Sequence, residues 1–140
     1  MRVRLTYRIE PLPFSVLLGK TITKIEGLEK GGERVILTTS DGREYLWYHE
    51  QECCENVTIE DVCGDPADLL DRPLVMAEEV AGETGETDYG SFTWTFYKLA
   101  TTRGSVTVRW YGASNGCYSE TVNFGEIVNL PNGGANAPRP

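Results

Sequence analysis

Alternation of apolar and polar residues is the dominant pattern of the chain, and it is clearest in the C-terminal third. The segments 91–99, 105–111 and 118–124 each place alternate side chains on one side of an extended backbone. The apolar positions on this shared side are Phe92, Trp94, Phe96, Val106, Val108, Trp110, Tyr118, Val122 and Phe124. Because a period of two is typical of half-buried strands, the pattern predicts a three-stranded antiparallel meander with these side chains in the core.

Shorter β patterns precede the meander. β-Branched and aromatic residues predict further strands over residues 21–25, 34–39, 43–49, 57–62 and 73–79. Asp41-Gly42 suits the positive φ of a tight hairpin turn. Asp65 followed by Pro66 is typical of a helix start and predicts one short helix near 65–70. The predicted fold class is therefore mainly β (α+β), an antiparallel sheet of about six to eight strands with that helix.

The length of 140 residues fits a single domain with one core. The predicted boundaries are residues 1–128 for a compact β-rich domain, with 1–18 as an extended lead-in, and 129–140 for a disordered tail. Residues 81–89, rich in Gly, Glu and Thr, are predicted as a mobile loop. No apolar run is long enough to span a bilayer, and the basic start lacks a continuous apolar stretch. We therefore expect no membrane segment, no secretion signal and a cytoplasmic location.

Negative charge is concentrated in one part of the chain. The formal net charge is −8, yet residues 41–88 alone carry fifteen acidic residues and two arginines, a net charge of −13. Such a segment repels nucleic acid and attracts basic surfaces or cations. The candidate partner-binding residues are Glu50, Glu52, Glu55, Glu60 and Asp61. The alternative is a solvated acidic face that only aids solubility.

The densest group of reactive side chains is the run His49-Glu50-Gln51-Glu52-Cys53-Cys54-Glu55. An imidazole and thiolates suit zinc, so His49, Cys53 and Cys54 are candidate metal ligands and zinc is the candidate cofactor. The absence of a Cys-x-x-Cys spacing favours the alternative that no cofactor is bound. Adjacent cysteines are also poorly placed to bridge each other, so reduced thiols are expected. Neighbouring carboxylates would raise the thiol pKa, so no catalytic residue is predicted.

The polar side of the predicted meander offers a second candidate site. Arg109 and Tyr111 alternate with the apolar positions of their segment, Tyr97 is expected beside them, and Asn115 lies in the following turn. A guanidinium, two phenol rings and an amide suit a phosphate or a stacked base. These four residues are therefore candidate ligand-binding residues. The alternative is an ordinary solvated sheet face.

Four stretches of the chain together resemble a family of small, uncharacterised bacteriophage and prophage proteins. They are residues 47–57, 59–65, 94–101 and 108–120, and the first contains the family's His-Glu-Gln-x-Cys-Cys-Glu pattern. The similarity covers roughly residues 17–125, whereas Cys63 and Cys117 are peculiar to this chain. The resemblance implies a phage or prophage origin and the cytoplasm of the bacterial host cell. Small non-structural phage proteins often act against host defence, which is an association of setting and not a physical argument.

These features favour a non-enzymatic binding protein that inhibits a host defence component, such as a CRISPR effector. Its partner would be a host protein with a basic surface, and its acidic face would imitate nucleic acid without contacting nucleic acid or membrane. Two alternatives stay open. One is a small-molecule sponge that sequesters a nucleotide defence signal, and the other is a His/Cys metal-binding protein or enzyme. The oligomeric state does not follow from the sequence.

Overall fold

The computed structural model of the protein describes residues 7–129 as nine β-strands and two short 3-10 helices. The strands are β1 (Tyr7–Pro11), β2 (Ile22–Glu26), β3 (Arg34–Thr39), β4 (Glu44–Tyr48), β5 (Asn56–Cys63), β6 (Met76–Thr87), β7 (Gly90–Thr101), β8 (Gly104–Ser114) and β9 (Asn123–Asn129). The 3-10 helices are Phe14–Leu17 and Pro66–Leu69. Within residues 7–129, no helix is both long and apolar enough to cross a membrane.

Two antiparallel sheets pack face to face around an aromatic core. The five-stranded sheet has the order β1-β9-β4-β3-β2, and the four-stranded sheet has the order β5-β8-β7-β6. The ring centroid of Trp47 in β4 lies 4.8 Å from that of Tyr97 in β7 and 6.0 Å from that of Trp110 in β8. Phe14, in the first 3-10 helix, contacts the rings of both Trp47 and Tyr97. These rings hold the sheets together because aromatic burial removes a large apolar area from water.

The prediction of a mainly β fold is confirmed, and the early strands lie where the sequence pattern placed them. β2, β3, β4 and β5 match the predicted segments to within one residue at each end. The Asp41-Gly42 turn joins β3 to β4, with Gly42 at a φ of 85°. The helix predicted near 65–70 is a single 3-10 turn, in which the Asp65 side chain accepts a hydrogen bond from the Ala67 amide.

The prediction of a mobile loop over 81–89 is wrong, because most of this segment belongs to a strand. β6 runs from Met76 to Thr87 and pairs with β7 as far as Thr87 opposite Gly90. β6 is an edge strand and most of its residues are exposed. An edge strand of this kind buries no continuous face, so its sequence shows no apolar alternation.

The third strand of the predicted meander is also misplaced. Residues 115–122 connect β8 to β9, and β9 pairs with β1 and β4 in the opposite sheet. The meander of consecutive strands is instead β6-β7-β8. Phe124 is buried as expected, but from the other side of the core. Alternation therefore indicated which residues are buried without indicating which sheet carries them.

The two faces of β7 are the reverse of the prediction. Thr95, Tyr97 and Leu99 are buried, whereas Trp94 and Phe96 are partly exposed. The register is the physical reason, because residues directly opposite in antiparallel strands share a face. The buried residues of β8 lie opposite the buried ones of β7, with Trp110 opposite Thr95, Val108 opposite Tyr97 and Val106 opposite Leu99.

The predicted extended lead-in is only partly extended. β1 pairs with β9, and the chain then forms the first 3-10 helix, which buries Phe14 and Leu17. Pro13 lies immediately before this helix, where a proline is compatible with a helix start. Residues 1–6 of the predicted lead-in and residues 130–140 of the predicted tail lie outside the described residues.

Candidate functional site

The run 49–55 lies at one end of the two packed sheets. Both ring nitrogens of its histidine contact oxygen atoms of the protein. His49 Nδ1 lies 2.6 Å from the carbonyl oxygen of Thr121, and His49 Nε2 lies 2.7 Å from the carboxylate of Glu55. The side chains of His49 and Glu55 are 3% and 0% exposed. Protein oxygens therefore contact both ring nitrogens of His49. His49 has a structural role here, because neither nitrogen is left free for a metal or a substrate.

Glu55 is the acceptor at the centre of this end. Its carboxylate also accepts hydrogen bonds from the backbone amides of Glu52 and Cys53, at 2.8 and 2.9 Å. Burial would raise the pKa of Glu55, but the bonds from His49 and the two amides outweigh it and lower the pKa to about 2. Because the side chain is buried, Glu55 cannot belong to a partner-binding surface, contrary to the prediction from its charge.

Cys53 and Cys54 are joined in a disulfide, so the expectation that adjacent cysteines stay unbridged is wrong. Cys63 and Cys117 are exposed free thiols. Within residues 7–129, no group of three or more His, Cys, Asp or Glu side chains is placed to hold a metal ion. The structure therefore does not assemble the predicted ligands His49, Cys53 and Cys54 into a zinc site.

A second buried carboxylate, Glu120, lies on the connection between β8 and β9. Its oxygens accept hydrogen bonds from the hydroxyls of Ser91, Thr93 and Ser114, at 2.5, 2.8 and 2.6 Å. Burial would raise the pKa of Glu120, but these hydroxyls outweigh it and lower the pKa. The three donors explain how a carboxylate is tolerated there. Sequence reasoning missed Glu120 because its donors come from positions 6 to 29 residues away.

An open cleft of about 570 Å³ lies beside the run 49–55. Its walls include the apolar side chains of Ile9 and Leu46, the phenol of Tyr48 and the charged groups of Arg34 and Glu50. The Tyr48 hydroxyl donates a hydrogen bond to Glu50, at 3.1 Å. The cleft is therefore a recess of mixed polarity in which the ionisable groups of the run already have partners.

The outer side of the four-stranded sheet carries a contiguous group of aromatic rings. We call this group the outer aromatic face and define it as Phe92, Trp94, Phe96, Arg109 and Tyr111. The ring centroid of Tyr111 lies 4.8 Å from that of Trp94 and 6.0 Å from that of Phe92. The guanidinium of Arg109 lies over Trp94, 5.8 Å from the ring centroid, and donates to Asp61 at 2.9 Å. All five side chains are at least partly exposed.

Two glycines of β6 shape the outer aromatic face. A Cβ at Gly82 would come within 2.8 Å of the Trp94 Cβ and 3.0 Å of the Phe96 ring, and a Cβ at Gly85 would come within 2.8 Å of the Phe92 ring. The Phe96 and Phe92 rings therefore lie against the edge strand where it has no side chains. The glycines were visible in the sequence, but the Gly-, Glu- and Thr-rich composition of residues 81–89 predicted a loop.

The predicted ligand-binding residues are not brought together as a set. Arg109 and Tyr111 share the outer aromatic face, but Tyr97 is buried on the opposite side of β7. Asn115 lies in the turn after β8, where its side chain accepts a hydrogen bond from the Cys117 amide. Trp94, placed in the core by the sequence pattern, is the residue that joins Arg109 and Tyr111.

Removing the hydroxyl of Tyr97 is expected to leave the fold intact. In the described part of the chain no group meets hydrogen-bond geometry with the buried hydroxyl, and burial, together with the nearby Glu79 carboxylate, raises the pKa of Tyr97 far above its usual range. A buried unpaired hydroxyl is unfavourable, so Tyr97→Phe is expected to change the free energy of unfolding by about 0 to +1 kcal/mol. Urea denaturation of both proteins measures this difference. A loss of more than about 1 kcal/mol would show that the hydroxyl has a partner.

Exposed and partly exposed acidic residues lie along both edges of the four-stranded sheet. Glu60 and Asp61 are on β5, at one edge, with Glu50 and Glu52 on the preceding run. β6, at the other edge, carries four glutamates and no lysine or arginine. They are Glu78, Glu79, Glu83 and Glu86, and all four are exposed. The acidic segment therefore forms two flanks, with the outer aromatic face between them.

The chain was compared with protein families, curated proteins and solved structures. Residues 15–124 match the model of a family described as a domain of unknown function, DUF7448. Searches of curated proteins and of solved structures found no match.

Proposed function

We propose that this chain, which belongs to the DUF7448 family, is a phage- or prophage-encoded binding protein without enzymatic activity. It inhibits a host defence component, such as a CRISPR effector, by placing its acidic surface on a basic surface of that protein. The acidic surface imitates nucleic acid in charge, and the protein itself contacts neither nucleic acid nor membrane.

The observation that carries this proposal is the set of four exposed glutamates on β6. Among residues 7–129, none of the ion pairs includes a β6 glutamate, and Lys98, opposite Glu78, is the one cation of β7. β6 pairs only with β7, so its other edge is open to a partner. Exposed carboxylates along such an edge steer and hold lysine- and arginine-rich surfaces.

The other acidic candidates contribute unequally to this surface. Glu50, Glu52 and Glu60 are exposed and are available to a partner. Asp61 is paired with Arg109 at 2.9 Å, so it is partly neutralised. Glu55 is buried and is left out of the proposal. The phage or prophage setting rests on the sequence resemblance and is part of the proposal.

Charge reversal on β6 tests the proposed function. The double variant Glu78→Lys with Glu83→Lys replaces attraction by repulsion, so a tagged protein is expected to retain its partner from host lysate at least about tenfold less well. The wild-type complex is expected to weaken as salt rises, because exposed charges are screened. Mass spectrometry of the retained proteins measures both effects.

The matched control reverses two glutamates on the other sheet. Glu26 on β2 and Glu44 on β4 are exposed on the outer side of the five-stranded sheet. Glu26→Lys with Glu44→Lys adds the same charge, and it should leave retention unchanged. An equal loss of partner retention in both double variants would contradict the proposal. So would a complex whose retention does not change with salt or with charge reversal.

A nucleotide sponge is the second candidate, favoured by one observation. Arg109 and Tyr111 lie beside Trp94 on one exposed face, which suits a phosphate and a stacked base. The acidic flanks on both edges count against an anionic ligand. A ligand that binds only the folded state raises the melting temperature. Saturating cyclic nucleotides that leave the melting temperature unchanged would eliminate this candidate.

A further inference from the structure

The outer aromatic face is unusual for a solvated side of a sheet. Four aromatic rings touch one another in a continuous group, where an exposed sheet face commonly carries scattered polar side chains. A contiguous apolar patch on a protein surface commonly marks a binding site. Gly82 and Gly85 of β6 place no side chain against the Phe96 and Phe92 rings.

The charges around this face indicate the sign of what it binds. Glu60 and Asp61 flank it along β5, and Glu78 and Glu83 flank it along β6. Arg109 and Lys98 are the two cations on β7 and β8 beside these acids, and Arg109 already pairs with Asp61. Acidic flanks repel the phosphates of nucleic acid and attract cations. Aromatic faces rimmed by carboxylates are the chemistry that binds guanidinium and ammonium groups.

The protein contains an internal example of this contact. The Arg109 guanidinium lies over the Trp94 ring and pairs with the Asp61 carboxylate at the same time. A guanidinium is planar and weakly hydrated, so it stacks on rings better than an ammonium does. The Tyr111, Phe92 and Phe96 rings continue the surface next to this pair. Each of these three side chains is partly exposed.

We propose that the outer aromatic face is the docking site for arginine side chains of the basic partner. The inference rests on the proposed function, because it takes the partner's surface to be basic. It adds that arginine is preferred over lysine, that Trp94 and Tyr111 supply the stacking surface, and that the flanking glutamates supply the charge. Binding by charge alone would show no such preference.

Two peptides of equal charge separate stacking from charge. Nona-arginine and nona-lysine are titrated into the full chain at low salt, and their dissociation constants are measured by calorimetry. Wild type is expected to bind nona-arginine about three- to tenfold more tightly than nona-lysine. Trp94→Leu, which keeps an apolar side chain on the surface, is expected to reduce that preference. Glu78→Gln with Glu83→Gln is expected to raise the dissociation constants of both peptides by the same factor. The preference for nona-arginine should therefore be kept.

The outcomes distinguish this inference from the proposed function. Equal affinity for the two peptides in wild type, or a preference that is undiminished in Trp94→Leu, would overturn the docking site and leave an acidic binding surface standing. Failure of both peptides to bind would overturn the acidic surface as well. A circular dichroism spectrum confirms that each variant is folded.

Other occupants of the face would give different results. A single-stranded oligonucleotide that binds wild type but not Trp94→Leu would assign the rings to bases and overturn the inference. A wild-type dimer in sedimentation that dissociates in Trp94→Leu would assign the face to a second copy and overturn it too. A monomer that ignores the oligonucleotide and prefers nona-arginine supports the docking site.

Discussion

Replacing Trp47 by alanine is expected to lower the free energy of unfolding by about 3–5 kcal/mol. The Trp47 ring is fully buried and contacts aromatic rings from the first 3-10 helix, β7 and β8. Its removal leaves a cavity where the two sheets meet, and the surrounding rings can fill it only in part. Such a loss is a large fraction of the stability of a small domain. Urea denaturation followed by circular dichroism measures it.

Trp94→Ala is the matched control for this experiment. The same side chain is removed, but from the partly exposed outer aromatic face. Less area returns to water and no closed cavity forms, so the expected loss is about 1 kcal/mol. If Trp94→Ala costs as much as Trp47→Ala, then Trp94 lies in the core and the assignment of the two faces of β7 is wrong.

Glu55→Gln is expected to lower the melting temperature at neutral pH. It is also expected to make the melting temperature fall less steeply as the pH is lowered. The pKa of Glu55 is about 2 in the folded protein, against 4.5 for an ordinary glutamate. A pKa lowered by folding means that the ionised carboxylate stabilises the fold above about pH 4.5. That contribution is lost as the pH falls from about 4.5 towards 2, and the variant has none to lose.

Thermal unfolding followed across this pH window compares wild type with Glu55→Gln. Wild type should lose melting temperature more steeply than the variant, and the two should converge at the acid end. Glu29→Gln, at an exposed glutamate, is the control and should follow wild type. Parallel curves for wild type and Glu55→Gln would show that the carboxylate does not hold this end of the sandwich.

The parts of the fold that were predictable are those set by neighbours in sequence. The Asp41-Gly42 turn and the strands on either side of it form a local hairpin, so the pattern and the turn chemistry agree. Asp65 and Pro66 likewise act within one turn of the chain. Beyond β8 the local sequence pattern no longer predicts the topology, because β9 pairs in the other sheet.

The faces of β7 were not predictable, because both of them carry apolar side chains. Phe92, Trp94 and Phe96 form the more aromatic set, and the sequence pattern therefore assigned them to the core. The pairing with β8 determines which face of β7 is buried, because the buried Val108 lies opposite Tyr97. Register is a property of two strands, and no pattern within one strand contains it.

The candidate site was predictable in composition but not in arrangement. The acidic segment, Arg109 and Tyr111 were all recognised from the chain. Their placement on two edges and on the face between them depends on the order β5-β8-β7-β6. The burial of Glu55 depends on His49 and on two backbone amides, so its charge gave a misleading indication of exposure.

The most direct test of the account is a nuclear magnetic resonance titration of the tryptophan indole N–H signals with nona-arginine. The chain has three tryptophans, of which Trp47 and Trp110 are fully buried and Trp94 lies on the outer aromatic face. We expect the Trp94 signal to shift progressively while the other two stay in place. A titration in which the Trp94 signal does not move, or in which a buried tryptophan moves instead, would contradict the proposed binding surface.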